Sequence, residues 1–282
     1  MESSLRNAYV AGKFYPDNAK ESENLIEALK KREQERINYS LSKKEIIGAI
    51  LPHAGHMFSG YQAIHFFEIF ARRNQRCDTM IILHPVHRGG SFEYASDTTE
   101  FWAGPFGKTK VDNEFIEAMQ VNRSDEFLKW EHSAEVFLPF IQYYENDKLS
   151  IVPIGFSWQS PENADKVAEK IARAESELDR NICIIASSDF SHFLTPERGE
   201  NQDQIVLDRI LNMDPEGVYA EVRRHNISVC GYGPIMTLMY YSRQNKKGTT
   251  AEVLARGHSG EVYPSDSVVD YISILFHREN EI

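Results

Sequence analysis

Ten histidines and three cysteines are spread over 282 residues, and several fall in Gly- and Pro-punctuated segments of the kind that end strands. Pro52-His53-Ala-Gly-His56, His84-Pro-Val-His87-Arg-Gly-Gly90 and Ser187-Ser-Asp189-Phe-Ser-His192 each follow a short apolar run. Val229-Cys230-Gly-Tyr-Gly-Pro-Ile235 sets a thiol in a Gly-rich turn just before a helix start, a place that lowers a thiol's pKa and exposes its sulfur. Imidazole nitrogens and a thiolate suit Fe(II), Zn or Cu better than Mg or Ca, so His53, His87 and Cys230 are candidate metal ligands. His56, His65 and His84 compete with them. His65 lies inside a helix pattern, and His84 and His56 have the alternative role of supporting ligands from behind. Taken singly, each residue has a plainer explanation: a hydrogen-bonded structural histidine, a small buried cysteine, an aspartate capping a turn. Together they point to a metal, because such a site draws its ligands from separate loops that a sheet brings side by side.

The elements that must position these loops are legible as apolar periodicity. Residues 45–51, 79–83, 149–154 and 181–186 are near-continuous apolar runs, the mark of strands buried on both faces. Residues 250–255 and 268–276 close the chain as further strands. Helical spacing is present at 18–36, 59–73, 111–121, 133–144, 162–177, 202–213, 215–224 and 235–243. Residues 89–107 read as loop or a short antiparallel excursion. Strands alternating with helices predict an α/β layered sheet with helices on both faces, in which sites gather beyond the carboxyl ends of the strands. No linker or repeat divides residues 1–282, so a single domain is expected.

Composition narrows the function further. The net charge of −11 argues against nucleic acid, whose phosphates need a surplus of Lys and Arg. No apolar run approaches the ~20 residues that span a bilayer. The odd cysteine count and the absence of a signal-peptide pattern predict a reducing, cytoplasmic setting. The charge runs at 30–36 and 162–180 read as solvated helix faces. The Phe- and Tyr-bearing stretch 92–102 suits either packing on its own sheet or an aromatic ligand.

Pro-His-Ala-Gly-x-x-x-Ser-Gly at 52–60, Ser-Ser-Asp-Phe-Ser-His at 187–192 and Cys-Gly-x-x-Pro-Ile at 230–235 resemble the Memo family. Its bacterial and archaeal members are also called the B protein of the AmmeMemoRadiSam system. Ala11-Gly-x-Phe-Tyr-Pro16, Glu131-His-Ser-x-Glu135 with Leu138-Pro139, and His258-Ser-Gly ahead of Ser267-Val-Val-x-Tyr271 extend the resemblance over nearly the whole chain, in order. The implied fold is a three-layer αβα arrangement with a central mixed, largely parallel sheet, similar to the catalytic subunit of class III extradiol dioxygenases. In those non-haem Fe(II) enzymes two His and a Glu hold the metal. The resemblance implies His53 and His87 as the two His ligands, Cys230 in the carboxylate's place, and His192 with Asp189 as the acid/base pair.

Two positions depart from the family pattern. His84 stands where Gly opens the usual Gly-Pro-Ser-His, adding an imidazole near the site, and Phe137 replaces a His that often precedes Leu-Pro. The exchange of Glu for Cys, read as family-wide, means that ring cleavage does not follow from the fold.

The expected function is therefore a metal-dependent, dioxygenase-like oxidoreductase using Fe(II), or else Cu or Zn, on a small substrate of aromatic character. Two alternatives belong to other classes. One is a binding or adaptor protein of a modification or signalling pathway, with an AMMECR1-like protein and a radical SAM protein as partners. The other is a metal-free hydrolase built on Cys230, His192 and Asp189.

Overall fold

The computed structural model describes residues 4–124, 130–145 and 148–279. The first part of the chain forms β1 (Leu5–Arg6), α1 (Ala19–Glu33), β2 (Glu45–Leu51), α2 (His56–Ala71) and β3 (Thr79–Pro85). Three short strands, β4 (Tyr94–Ser96), β5 (Phe101–Gly104) and β6 (Gly107–Lys110), precede α3 (Asn113–Met119) and α4 (Leu138–Glu145). Then come β7 (Ser150–Phe156), α5 (Pro161–Leu178), β8 (Ile182–Ser187), β9 (His192–Leu194) and α6 (Pro196–Leu211). The chain continues with α7 (Pro215–His225), α8 (Tyr232–Asn245), β10 (Thr250–His258) and β11 (Val268–Arg278).

The large sheet has the order β10-β11-β2-β8-β3-β7-β4, with β9 pairing the start of β11. Its middle four strands, β2-β8-β3-β7, are parallel, and the flanking strands run antiparallel. The parallel strands are the continuous apolar runs, since helices cover both of their faces. On one side α5 and α8 pack together, and α8 rests on β8, β3 and β2; α2 packs against β2, β11 and β10. α5 shows how sequence sets this layer. Ser160 caps it by accepting from the Asn163 N–H at 3.1 Å, Pro161 opens it, and Ala164, Val167, Ala168, Ile171 and Ala174 form its buried stripe.

Register decides where function can sit. Leu51 is level with Ser187, Leu83 with Ala186 and Pro85 with Phe156. The loops leaving β2, β8 and β3 therefore emerge side by side at one edge, carrying His53, Asp189 and His87.

The elements depart from their expected spans in instructive ways. α2 starts at His56, because that ring is part of the core and its Nε2–H donates to the Val136 carbonyl at 2.6 Å. The stretch expected as one helix over 133–144 is a 3₁₀ turn (Glu135–Phe137) leading into α4; Pro139, lacking an N–H, suits only a first turn. α6 begins at Pro196 rather than near 202, its first turns carrying too much charge to show an apolar stripe. The 89–107 stretch forms β4 on the large sheet, while β5 and β6 build a second, three-stranded sheet with β1.

That small sheet is tied to the site by one buried ion pair. Arg6 lies over the Trp102 ring at 4.1 Å, donates to Glu135 at 2.6 Å and reaches the Glu131 carbonyl at 2.8 Å. Glu135 also accepts from the Val10 N–H and the Tyr15 hydroxyl. The two side chains are 2% and 0% exposed. Glu135→Ala takes the carboxylate from the buried Arg6 charge and the acceptor from the Val10 N–H and the Tyr15 hydroxyl, and is expected to cost about 3–5 kcal/mol in urea unfolding.

Candidate metal centre

At the carboxyl edge of the sheet three imidazoles converge. One ring nitrogen from each of His53, His87 and His132 lies within 4.8 Å of the others. The His87 and His132 rings stack at 4.7 Å, and His53 meets both edge-on at 5.1 and 5.4 Å.

The hydrogen bonds behind the rings fix which nitrogen is free. Ser187 Oγ spends its only proton on the Ser133 carbonyl at 2.6 Å, so it accepts from His53 Nδ1–H at 2.7 Å. That leaves His53 Nε2 with its lone pair facing the pocket. His87 Nδ1 donates to Glu131 Oε1 at 2.9 Å while the His87 N–H donates to Oε2 at 2.8 Å. A carboxylate behind an imidazole is the arrangement that orients and strengthens a metal-binding histidine. The same Glu131 carboxylate accepts from the N–H groups of His132 and Ser133, so it shapes the turn that presents His132.

Charge states suit this role. Burial pushes His53 well below the ordinary imidazole pKa, with His132 and His87 adding to the effect. Burial takes His132 down to about 4. Both rings are neutral donors at pH 7. Burial also acts to lower His87, but the hydrogen bond and charge of Glu131 outweigh it and the net shift is upward. Glu131 is held below the usual carboxylate range, its burial overcome by the hydrogen bond and charge of His87.

Cys230 flanks the cluster. Its Sγ lies 3.2 Å from His53 Nε2 and accepts from the Asp189 N–H at 3.2 Å. Gly231 makes this possible: a Cβ there would stand 2.1 Å from the Ser187 carbonyl, so only glycine lets the start of α8 abut the end of β8. Burial, then the neighbouring Asp189 charge, pushes the Cys230 thiol pKa up. Asp189 Oδ1 accepts from the His53 N–H at 2.8 Å, and burial lifts its carboxyl to about 6. His192 stands at the rim, its Nδ1–H given to the Ser228 carbonyl at 2.8 Å, which leaves Nε2 as the basic atom. Its charge acts on both His53 and Asp189. The next residue, Phe193, holds φ at +58° and is 76% exposed, an uncommon conformation for a bulky side chain.

His56, His65 and His84 lie outside the cluster. His84 is fully buried, with Nδ1 against the Pro85 carbonyl and Ser133 Oγ. His56 serves the core, and His65 pairs with Glu33 at 3.2 Å. His132 was not among the ligand candidates read from the sequence; its only signal was the Glu131-His-Ser-x-Glu135 segment. A cavity of about 460 Å³ at the opposite edge of the sheet, lined in part by Thr79, Ser150, Asp112 and Arg180, holds ion pairs such as Arg180 with Asp112 and Arg76 with Asp78. Glu131→Gln keeps the shape but removes the carboxylate behind His87, and is expected to weaken metal binding by roughly 10–100-fold, measured by chelator competition.

A family model described as Memo-like protein matches residues 6–275. A MEMO1 family protein of Archaeoglobus fulgidus is 38% identical over 275 residues, covering 96% of this chain and 99% of the relative. One from Methanosarcina mazei is also 38% identical, over 96% and 98% of the two chains. The crystal structure of an uncharacterized protein from Escherichia coli K12 superposes with a TM-score of 0.50 at 10% identity, over 82% of this chain and 99% of that one, a likeness of fold alone. On sequence over nearly its full length, the chain belongs to the Memo-like family.

Proposed function

We propose that the chain is a metal-dependent oxidoreductase in which a divalent ion, Fe(II) ahead of Zn or Cu, is held by His53, His87 and Cys230. The observation that carries this reading is the pair of lone pairs at His53 and His87, each fixed by a hydrogen bond to the opposite ring nitrogen. By type the donors suit the group, two imidazoles and a sulfur; the nitrogens that converge are those of His53, His87 and His132, and Cys230 Sγ reaches His53. Cys230 Sγ lies 3.2 Å from His53 Nε2, so both atoms would be within reach of one small ion. When bound, the ion would supply Lewis acidity and, as Fe(II), redox chemistry.

The remaining work falls to side chains of the rim. His192 Nε2 takes up or returns a proton, its ring oriented by Ser228. Asp189 ties His53 and Cys230 to the same loop. Phe193, Trp158 and Trp130, 76%, 61% and 56% exposed, offer apolar surface at this edge, which supports a substrate of aromatic or apolar character. The free-thiol hydrolase is less well supported, since Cys230 meets His53 rather than His192 and its thiol is disfavoured as an anion.

Anaerobic loading with Fe(II) is expected to give stoichiometric metal in the wild type and in His192→Ala, and almost none in His53→Ala; equal content in wild type and His53→Ala would contradict the assignment. X-ray absorption at the metal edge identifies the third ligand. A sulfur shell near about 2.3 Å that vanishes in Cys230→Ser supports Cys230, whereas a shell of nitrogen alone that shrinks in His132→Ala assigns His132 instead.

A further inference from the structure

Behind the loop that carries Asp189 and His192, two carboxyl groups meet. Asp270 of β11 lies against Gly199 of α6, one turn before Asp203 on the same helix, and the Oδ2 atoms of Asp203 and Asp270 are both buried without a donor. Carboxylates only accept, so two neighbouring buried oxygens without a donor are satisfied when one proton lies between them. α6 comes this close because residue 199 is glycine: a Cβ there would stand 2.0 Å from Asp270 Oδ2.

The pair grips the loop from both sides. Asp203 Oδ1 accepts from the Ser191 N–H at 3.0 Å and from its hydroxyl at 2.6 Å. The Asp270 N–H donates to the Ser191 carbonyl, and the Phe190 N–H to the Asp270 carbonyl, each at 2.9 Å. Asp189 and His192 immediately flank the two gripped residues.

We propose that Asp203 and Asp270 share a single proton at neutral pH and are positioning residues, holding Asp189 and His192 over the pocket through Ser191. The inference rests on the proton-moving role given above to His192, but the pair and its test need no metal. Charged neighbours come from every side. A cavity of about 410 Å³ brings Glu197 and Glu200 of α6, Arg256 and His258 of β10, and Glu261 against Asp270. Arg256 lies 4.0 Å from Asp203 Oδ2 and favours ionisation, while the surrounding acids oppose it. Burial first, then the charge of Asp203, lifts Asp270 to about 8, and burial raises Asp203.

The sign of the pH effect follows. An unfolded aspartate gives up its proton near about pH 4, whereas the native pair keeps one up to about pH 8. Between these values the native state binds more protons, so the pair's contribution to stability falls as pH rises through that window. Above it two buried anions repel, and the grip on Ser191 loosens.

Infrared and NMR spectroscopy of the full chain, metal-free and with Zn(II), test the proposal. Asp270→Asn keeps the shape and donates an amide N–H to Asp203. The wild type is expected to show the carbonyl stretch of a protonated carboxyl at neutral pH, absent at about pH 10 and absent in Asp270→Asn. The His192 ring resonances should show an inflection near pH 8 in the wild type that Asp270→Asn removes, with Ser191 amide protection retained. Asp203→Ala should lower that protection by about tenfold or more; if that variant does not fold, Asp270→Asn decides alone. Absence of the protonated-carboxyl band from the wild type, or identical His192 profiles in wild type and Asp270→Asn, overturns the proposal. Failure of the metal reading would appear separately, as a wild type that does not retain zinc.

Discussion

The Glu131 carboxylate is the interaction on which the candidate centre depends. It accepts from the backbone and ring of His87 and from the backbone of His132 and Ser133, so one buried anion joins the loop after β3 to the segment before α4. Ser133 extends this junction to β8 and β2, because its carbonyl receives Ser187, which in turn receives His53. On the outer side Arg6 holds the Glu131 carbonyl while neutralising Glu135. A carboxylate this buried persists because it is fully hydrogen-bonded and faces ionisable partners.

The edge of the sheet divides into two chemical halves. On one, His53, His87 and His132 present nitrogens whose far sides are tied to Ser187 and Glu131. On the other, the loop after β8 carries Asp189 and His192 and leans on Ser228, Ser191 and the Asp203–Asp270 pair. Cys230 sits at the seam, touching His53 by its sulfur and the backbone of Asp189 by both sulfur and N–H. Parallel strands make this possible, since their carboxyl ends stand level and each can deliver a different kind of group to one place.

The fold class was legible because parallel strands buried on both faces leave unbroken apolar runs, as at 79–83 and 182–186. The family was legible from short motifs that follow one another in order along the chain. Site residues were legible only where strand-end punctuation accompanied them, as for His53 and His87. His132 has no such punctuation, and its place among the rings depends on Glu131 and on contacts with distant loops. His53 and His56 look alike in sequence, yet one faces the pocket and the other bonds Val136 in the core. Asp203 and Asp270 carry no local signal at all, because their pairing arises from the close approach of α6 to β11 at Gly199.

The most direct test is a crystal grown with Fe(II) under anaerobic conditions, with data collected on either side of the iron absorption edge. The account predicts one anomalous peak within about 2.0–2.2 Å of both His53 Nε2 and His87 Nε2. Iron bound elsewhere on the chain, or no peak between these two rings, would contradict it.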